Sequence, residues 1–153
     1  MRSKALVSAL RALAQRRLTE SQLWRRLELK GFGEDEIRRA IDVCKADGYI
    51  DDRLFAHLYV EQKRKALGNV KLVGELIKRG IDREAAAAAV HQSCVSQDER
   101  CDHALEIVLR KNASANYPSA ARALERLGFP SSLIYQKLRE HARKHGPFQI
   151  QND

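Results

Sequence analysis

Long apolar runs are missing from this chain. The first apolar stretch is broken by Arg11 and again by Arg16-Arg17, a pattern that argues against a secretory leader. No segment comes near the roughly 20 apolar residues that a membrane-spanning helix needs. Glycine and proline are scarce, at 8 and 3 in 153 residues, and β-branched runs are absent. These shortages argue against a strand-and-turn architecture. Ala, Leu, Arg, Lys and Glu dominate instead and favour helix, so an all-α soluble protein is expected.

Cysteine is sparse and odd in number. Cys44, Cys94 and Cys101 lack the spacing of a disulfide framework, so reduced thiols, each packed in a helical interface, are expected in a cytoplasmic protein. His91 and His103 lie near the last two thiols. Their spacing is not that of a zinc finger or ribbon, and Cys101 and His103, two apart on a helix, point to different sides. Catalytic signatures are absent too: there is no phosphate-binding loop, dinucleotide turn, HExxH or GxSxG pattern. Neither an enzyme nor a metal or cofactor is expected.

Positive charge is present in excess. The formal net charge is +8 and the pI about 9.7, a balance that attracts polyanions at a distance. The basic residues fall in clusters: Arg16-Arg17, Arg25-Arg26 with Lys30, Arg38-Arg39, Lys63-Arg64-Lys65, Lys71, and Lys78-Arg79, with further pairs at Arg110-Lys111 and Arg143-Lys144. A single cluster is an ordinary solvated helix face. Taken together, the first thirteen of these residues are candidates for contact with a phosphate backbone or an acidic protein groove. Lys71 also lies four before Glu75, the spacing of an intrahelical ion pair.

Repetition organises the whole. The stretch from Leu67 to Ile81 predicts a helix with Gly68 at its N-cap and Gly80 at a left-handed C′ position. It can be registered on two others through Gly31, Gly80 and Gly128, spaced 49 and 48 residues apart. Four before each glycine stand Leu27, Leu76 and Leu124; eight before, Leu23, Leu72 and Ala120; one after, Phe32, Ile81 and Phe129. Six after stand Ile37, Ala86 and Ile134; ten after, Ile41, Val90 and Leu138. Twelve before stand Thr19, Gly68 and Asn116, all accepted at N-caps. Thr19 and Gln22 spell a capping box, and Asp82, Asp51 and Asp52 are further caps. Trp24 and Tyr59 read as core or inter-repeat aromatics. Gly74 lies in mid-helix, where close packing against a neighbouring helix would explain it.

Each segment carries a further helix upstream. The first runs near Lys4 to Gln15 with Leu6, Leu10 and Leu13 on one face. The second follows Asp51-Asp52 with Phe55, Leu58, Tyr59 and Gln62, and the third runs near Glu99 to Lys111 with Leu105, Val108 and Leu109. The expected domains are therefore three-helix repeats over residues 1–50, 51–97 and 98–145, with a fraying tail over 146–153. Units so small bury too little alone, and stacking them predicts about nine helices in an elongated curved rod. A helix-turn-helix reader of DNA sequence would need donors early in its second helix, but these helices begin Glu34-Asp35-Glu36, Arg83-Glu84-Ala85 and Ser131-Ser132-Leu133.

Lys30-Gly31-Phe32, the segment Gly48-Tyr49-Ile50-Asp51-Asp52 with Phe55-Ala56, and Glu75-Leu76 before Lys78-Arg79-Gly80-Ile81 resemble the RecX family of bacterial recombination regulators. The resemblance covers nearly the whole chain and is looser in the third segment, around Tyr117-Pro118 and Leu127-Gly128-Phe129. It implies tandem three-helix repeats. It also implies a cytoplasmic, monomeric, non-enzymatic negative regulator of the RecA recombinase, with no cofactor and no membrane. Such a protein lies in the groove of the RecA–DNA filament and inhibits its ATPase, coprotease and strand-exchange activities by blocking extension or promoting disassembly. Direct contact with single- and double-stranded DNA is implied as well. The alternative reading is a non-specific basic helical DNA-binding protein.

Overall fold

The computed structural model describes residues 2–63, 66–112 and 116–146, with the Lys63 side chain left aside. Arg64, Lys65 and the predicted tail beyond Gly146 lie outside the described residues. Within them all regular secondary structure is helical: α1 (Lys4–Gln15), α2 (Glu20–Leu29), α3 (Glu34–Ala46), α4 (Asp52–Lys63), α5 (Asn69–Lys78), α6 (Arg83–His91), α7 (Gln97–Lys111), α8 (Tyr117–Arg126) and α9 (Ser131–His145).

The helices begin where the caps predict. Thr19 and Gln22 close a reciprocal capping box at α2, and Asn116 and Ser119 do the same at α8, where Pro118 occupies the first turn. Asp51 and Asp82 accept from the backbone N–H groups of Leu54 and Ala85. The helices also end where the glycines predict. Gly31, Gly80 and Gly128 have φ of +90°, +91° and +91°. In each case the glycine N–H donates to the carbonyl three residues back and the next residue to the carbonyl five back: Phe32 to Leu27, Ile81 to Leu76 and Phe129 to Leu124. This Schellman pairing satisfies carbonyls that the helix end leaves open.

Contacts divide the chain into two compact units, residues 1–59 with 75–89, and residues 60–74 with 90–153. The first has a core of Ala5, Ala9, Ala12, Leu18, Leu23, Leu27, Ile37, Ala40, Ile41, Cys44 and Ile50. The second has one of Cys101, Ala104, Leu105, Ala120, Leu124, Phe129, Leu133, Ile134 and Leu138. Every registered apolar position is buried except Phe32, which is half-buried. Truncating one such leucine to alanine costs about 2–5 kcal/mol.

Several expectations change on contact with the fold. On α1 the buried face is Ala5, Ala9 and Ala12, while Leu6, Leu10 and Leu13 are half-buried at its margin. Short side chains let α1 approach α3 closely, and the leucines then flank the seam. On α4 the buried residues are Phe55, Ala56 and Val60; Leu58 and Tyr59 are half-buried and Gln62 is exposed. Of the thiols, Cys44 and Cys101 are buried and Cys94 is exposed. Burial raises the pKa of both packed thiols, Cys101 to about 11. Close packing does not explain Gly74: among the described residues, a Cβ built there meets nothing within 4 Å. That glycine costs α5 about 1 kcal/mol relative to alanine, with no packing gain among the described residues.

Candidate interface and its supports

The sites that hold the registered helices in place can be read within each unit. In the first, the Thr19 hydroxyl at the head of α2 donates to the carbonyl of Arg79, the residue before Gly80, at 2.6 Å. The N–H of Glu20 donates to Asp52 Oδ1 at 2.9 Å. Asp52 therefore caps α2, not the helix it begins. Desolvation raises its pKa against the opposing pull of that hydrogen bond. A Cβ on Gly80 would come within 2.3 Å of the Ser21 Cβ, so the turn must be bare to approach α2.

The second unit builds the same joint one register on. Gly68, at the cap position of α5, donates its N–H to the carbonyl of Leu127, the residue before Gly128, at 2.7 Å. The N–H of Asn69 donates to Gln97 Oε1 at 2.8 Å. Here the backbones themselves meet: a Cβ on Gly68 would lie 2.2 Å from the Gly128 oxygen. Arg100 is 2% exposed and gives hydrogen bonds to the Leu67 carbonyl at 2.9 Å and to Asn69 Oδ1. Its Nε has no partner among the described residues, and desolvation lowers its pKa. Lys71 reaches the carbonyl of Arg126 at 3.3 Å. The predicted Lys71–Glu75 pair is not made, because each side chain is engaged elsewhere.

Glu75 belongs to a small network in the first unit. Tyr59 donates its hydroxyl to Glu75 Oε2, and the Arg79 guanidinium lies 4.4 Å from the Tyr59 ring centroid. Arg79 Nη1 also donates to the Glu75 carbonyl at 2.9 Å. Phe55 stacks on Tyr59 with centroids 6.3 Å apart. Burial first, then the bond to Glu75, pushes the Tyr59 pKa up to about 12. This is a positioning network that fixes the last turn of α5.

The candidate contact residues thus differ in their freedom. Arg16, Arg17, Arg25, Arg39 and Lys78 are exposed and Arg26 is half-buried. Lys30 is exposed and reaches Ser8 Oγ on α1 at 2.8 Å. Arg38 pairs with Glu34 at 3.2 Å and lies 5.4 Å from the Trp24 ring. Lys71 and Arg79 are tied into the supports just described. Arg25 shares a groove with Glu20, Ser21, Trp24, Glu28, Asp52 and Gly80, so carboxylates outnumber it there. Among the described residues, no three His, Cys, Asp or Glu side chains gather in a way that could hold a metal.

Sequence reasoning missed Arg100, and also Lys137, which is buried and pairs with Asp102 at 3.2 Å and Glu140 at 3.6 Å. A signal for Arg100 existed. It stands 28 residues before Gly128, as Asp52 stands 28 before Gly80. Both occupy the joint.

The chain is thus a helical-repeat scaffold whose registered helices are joined through cap and turn, and two of its modules are recognised. Residues 5–44 match the model of the first three-helix domain of RecX, and residues 51–90 match that of the second. The regulatory protein RecX of Thermus thermophilus is 32% identical over 139 residues, spanning 91% of this chain and 93% of the relative. That of Amycolatopsis mediterranei is 29% identical, spanning 88% and 81%. The crystal structure of RecX from Lactobacillus salivarius shares the fold with a TM-score of 0.77 at 21% identity, covering 90% of this chain and 94% of the other. The chain belongs to the RecX family. Among the described residues no helix is long and apolar enough to cross a membrane.

Proposed function

We propose that this chain is a cytoplasmic, non-enzymatic negative regulator of the RecA recombinase. It binds in the groove of the RecA–DNA filament and inhibits ATPase, coprotease and strand-exchange activity by blocking extension or promoting disassembly. The observation that carries this reading is membership of a family of regulatory proteins over nine-tenths of the chain. The three-repeat rod, with boundaries at residues 50, 97 and 145, is part of the same proposal. A basic monomer of that form suits an extended anionic lane, by electrostatic steering first and by contacts repeated along its length second.

Exposed Arg16, Arg17, Arg25, Arg39 and Lys78 favour a second reading, non-specific DNA binding whose effects on RecA come from competition for DNA. Two measurements separate them. Added to preformed filaments, the protein should suppress ATP hydrolysis at amounts well below one per RecA; no inhibition at stoichiometric amounts contradicts the regulator. Phosphate-dominated binding weakens steeply with salt. Inhibition that persists at a salt concentration where free DNA is no longer bound supports the protein contact, and inhibition lost in step with DNA binding supports competition.

A further inference from the structure

The solvent side of α5 departs from its counterparts. At positions ten, six and three before the registered glycine, α2 carries Ser21, Arg25 and Glu28, and α8 carries Pro118, Arg122 and Glu125. On α5 the same positions are Val70, Gly74 and Ile77. A polar face with a charged pair three apart has become an apolar one with a bare backbone at its centre. Val70 is 74% exposed and Ile77 37%, and Val73 lies half-buried beside them. Positions 70, 74 and 77 fall on one side of a helix.

Nothing among the described residues requires this. Among the described residues the space over Gly74 is open, so the glycine is not there to admit any of the described helices. It weakens α5 against the arginine found at its position in α2 and α8. A glycine flanked by exposed valine and isoleucine is instead what lets a foreign side chain reach the helix backbone. The charge around it selects the visitor. Lys78 flanks the stripe, exposed, while Lys71 is held to the Arg126 carbonyl and Glu75, the one acid on the helix, is turned to Tyr59.

We propose that this face of α5 is a docking surface for a protein partner that seats an apolar side chain over Gly74, between Val70 and Ile77, with carboxylates of the same partner segment meeting Lys78. The inference rests on the regulator reading, and takes the RecA filament as that partner. The apolar contact supplies affinity and Lys78 supplies register.

The experiment compares the full chain with Gly74→Arg, which restores the residue of α2 and α8, and with Val70→Glu, at a position already in solvent. Thermal melting, binding to free single-stranded DNA at low salt, and inhibition of ATP hydrolysis by preformed RecA filaments are measured on all three. Gly74→Arg is expected to melt no lower than the parent and to bind DNA at least as well, yet to need tenfold or more protein for half-inhibition. Val70→Glu should keep its melting temperature and lose inhibition by a similar factor. Either variant folding normally and inhibiting with parental potency overturns the docking surface while leaving the regulator intact. A parent chain that fails to inhibit overturns the regulator reading and this inference together.

Discussion

The joint at the head of α2 and the joint at the head of α5 sit in the same register and are made from different chemistry. In the first unit side chains do the work: Thr19 donates to the Arg79 carbonyl, and the Asp52 carboxylate accepts from Glu20. In the second the backbone of Gly68 donates to Leu127, a neutral Gln97 takes over the acceptor role, and Arg100 fills the position of Asp52 with opposite charge. The difference has a steric cause. Once Gly68 and Gly128 meet backbone to backbone, no cap side chain fits between them, and the orphan Leu67 carbonyl needs a donor from elsewhere. A long cation reaching across supplies it. The lesson is that the register position of a contact survives when the atoms making it do not.

Gly68 is where the second joint tolerates change least. Alanine there meets carbonyl and amide atoms at 2.2–2.6 Å, none of which is the end of a flexible side chain. Chemical denaturation of Gly68→Ala should show a loss of roughly 3 kcal/mol or more, the upper end of overpacking costs. A loss under about 1 kcal/mol would mean that the two backbones are not in contact.

Arg100→Met comes next. It leaves the Leu67 carbonyl and Asn69 without their donor, at a cost of about 2–3 kcal/mol, reduced by the relief of a buried charge. The same denaturation experiment on Asp52→Asn, which keeps an acceptor for Glu20, should show almost no change at neutral pH. Equal losses in the two variants would contradict the different roles assigned to the two joints.

The three turn glycines give a finer test. Gly31 and Gly80 share a left-handed conformation, but among the described residues a Cβ on Gly31 meets nothing within 4 Å whereas one on Gly80 meets Ser21. Gly31→Ala should therefore cost only the backbone strain, about 1–2 kcal/mol, and Gly80→Ala distinctly more. The excess measures the joint apart from the turn, and double substitution with Ser21→Gly should recover part of it.

The smallest effect expected is in pH dependence. The carboxyl of Asp52 is held above its ordinary value of 3.8 in the folded chain, chiefly by desolvation. A raised acid favours its protonated form when folded, so this group adds stability at low pH and loses it as pH rises through the window just above 3.8. Melting temperatures of the parent and Asp52→Asn should run parallel above that window, with the parent gaining on the variant only below it. The opposite crossing would mean that the hydrogen bond from Glu20 outweighs burial.

Much of this was legible in the residues because the signals are local. Caps at Thr19, Asn116 and Asp82, turns at Gly31, Gly80 and Gly128, and leucines four apart each specify backbone within a few positions of themselves. The all-α fold and the helix limits followed. What was hidden depends on partners distant in sequence. Asp52 read as a cap for α4 because Glu20 is 32 residues away. Lys71 and Glu75 read as a pair because the Arg126 carbonyl and the Tyr59 hydroxyl were out of view. The leucines of α1 masked an alanine seam, since hydrophobicity alone does not tell close approach from bulk. Among the candidate contacts, the sequence marked positive charge but not which charges are spoken for: Arg38 and Arg79 lie against aromatic rings, and Arg16, Arg17, Arg39 and Lys78 face solvent.

The proposed contact of α5 with RecA protein can be trapped by zero-length carbodiimide coupling of the full protein to RecA–single-stranded DNA filaments, followed by peptide mapping. The expected product joins the Lys78 amine to a RecA carboxylate, at a salt concentration where free DNA is not bound. Filaments that retain the protein under those conditions but yield no link from α5 to RecA would contradict that contact.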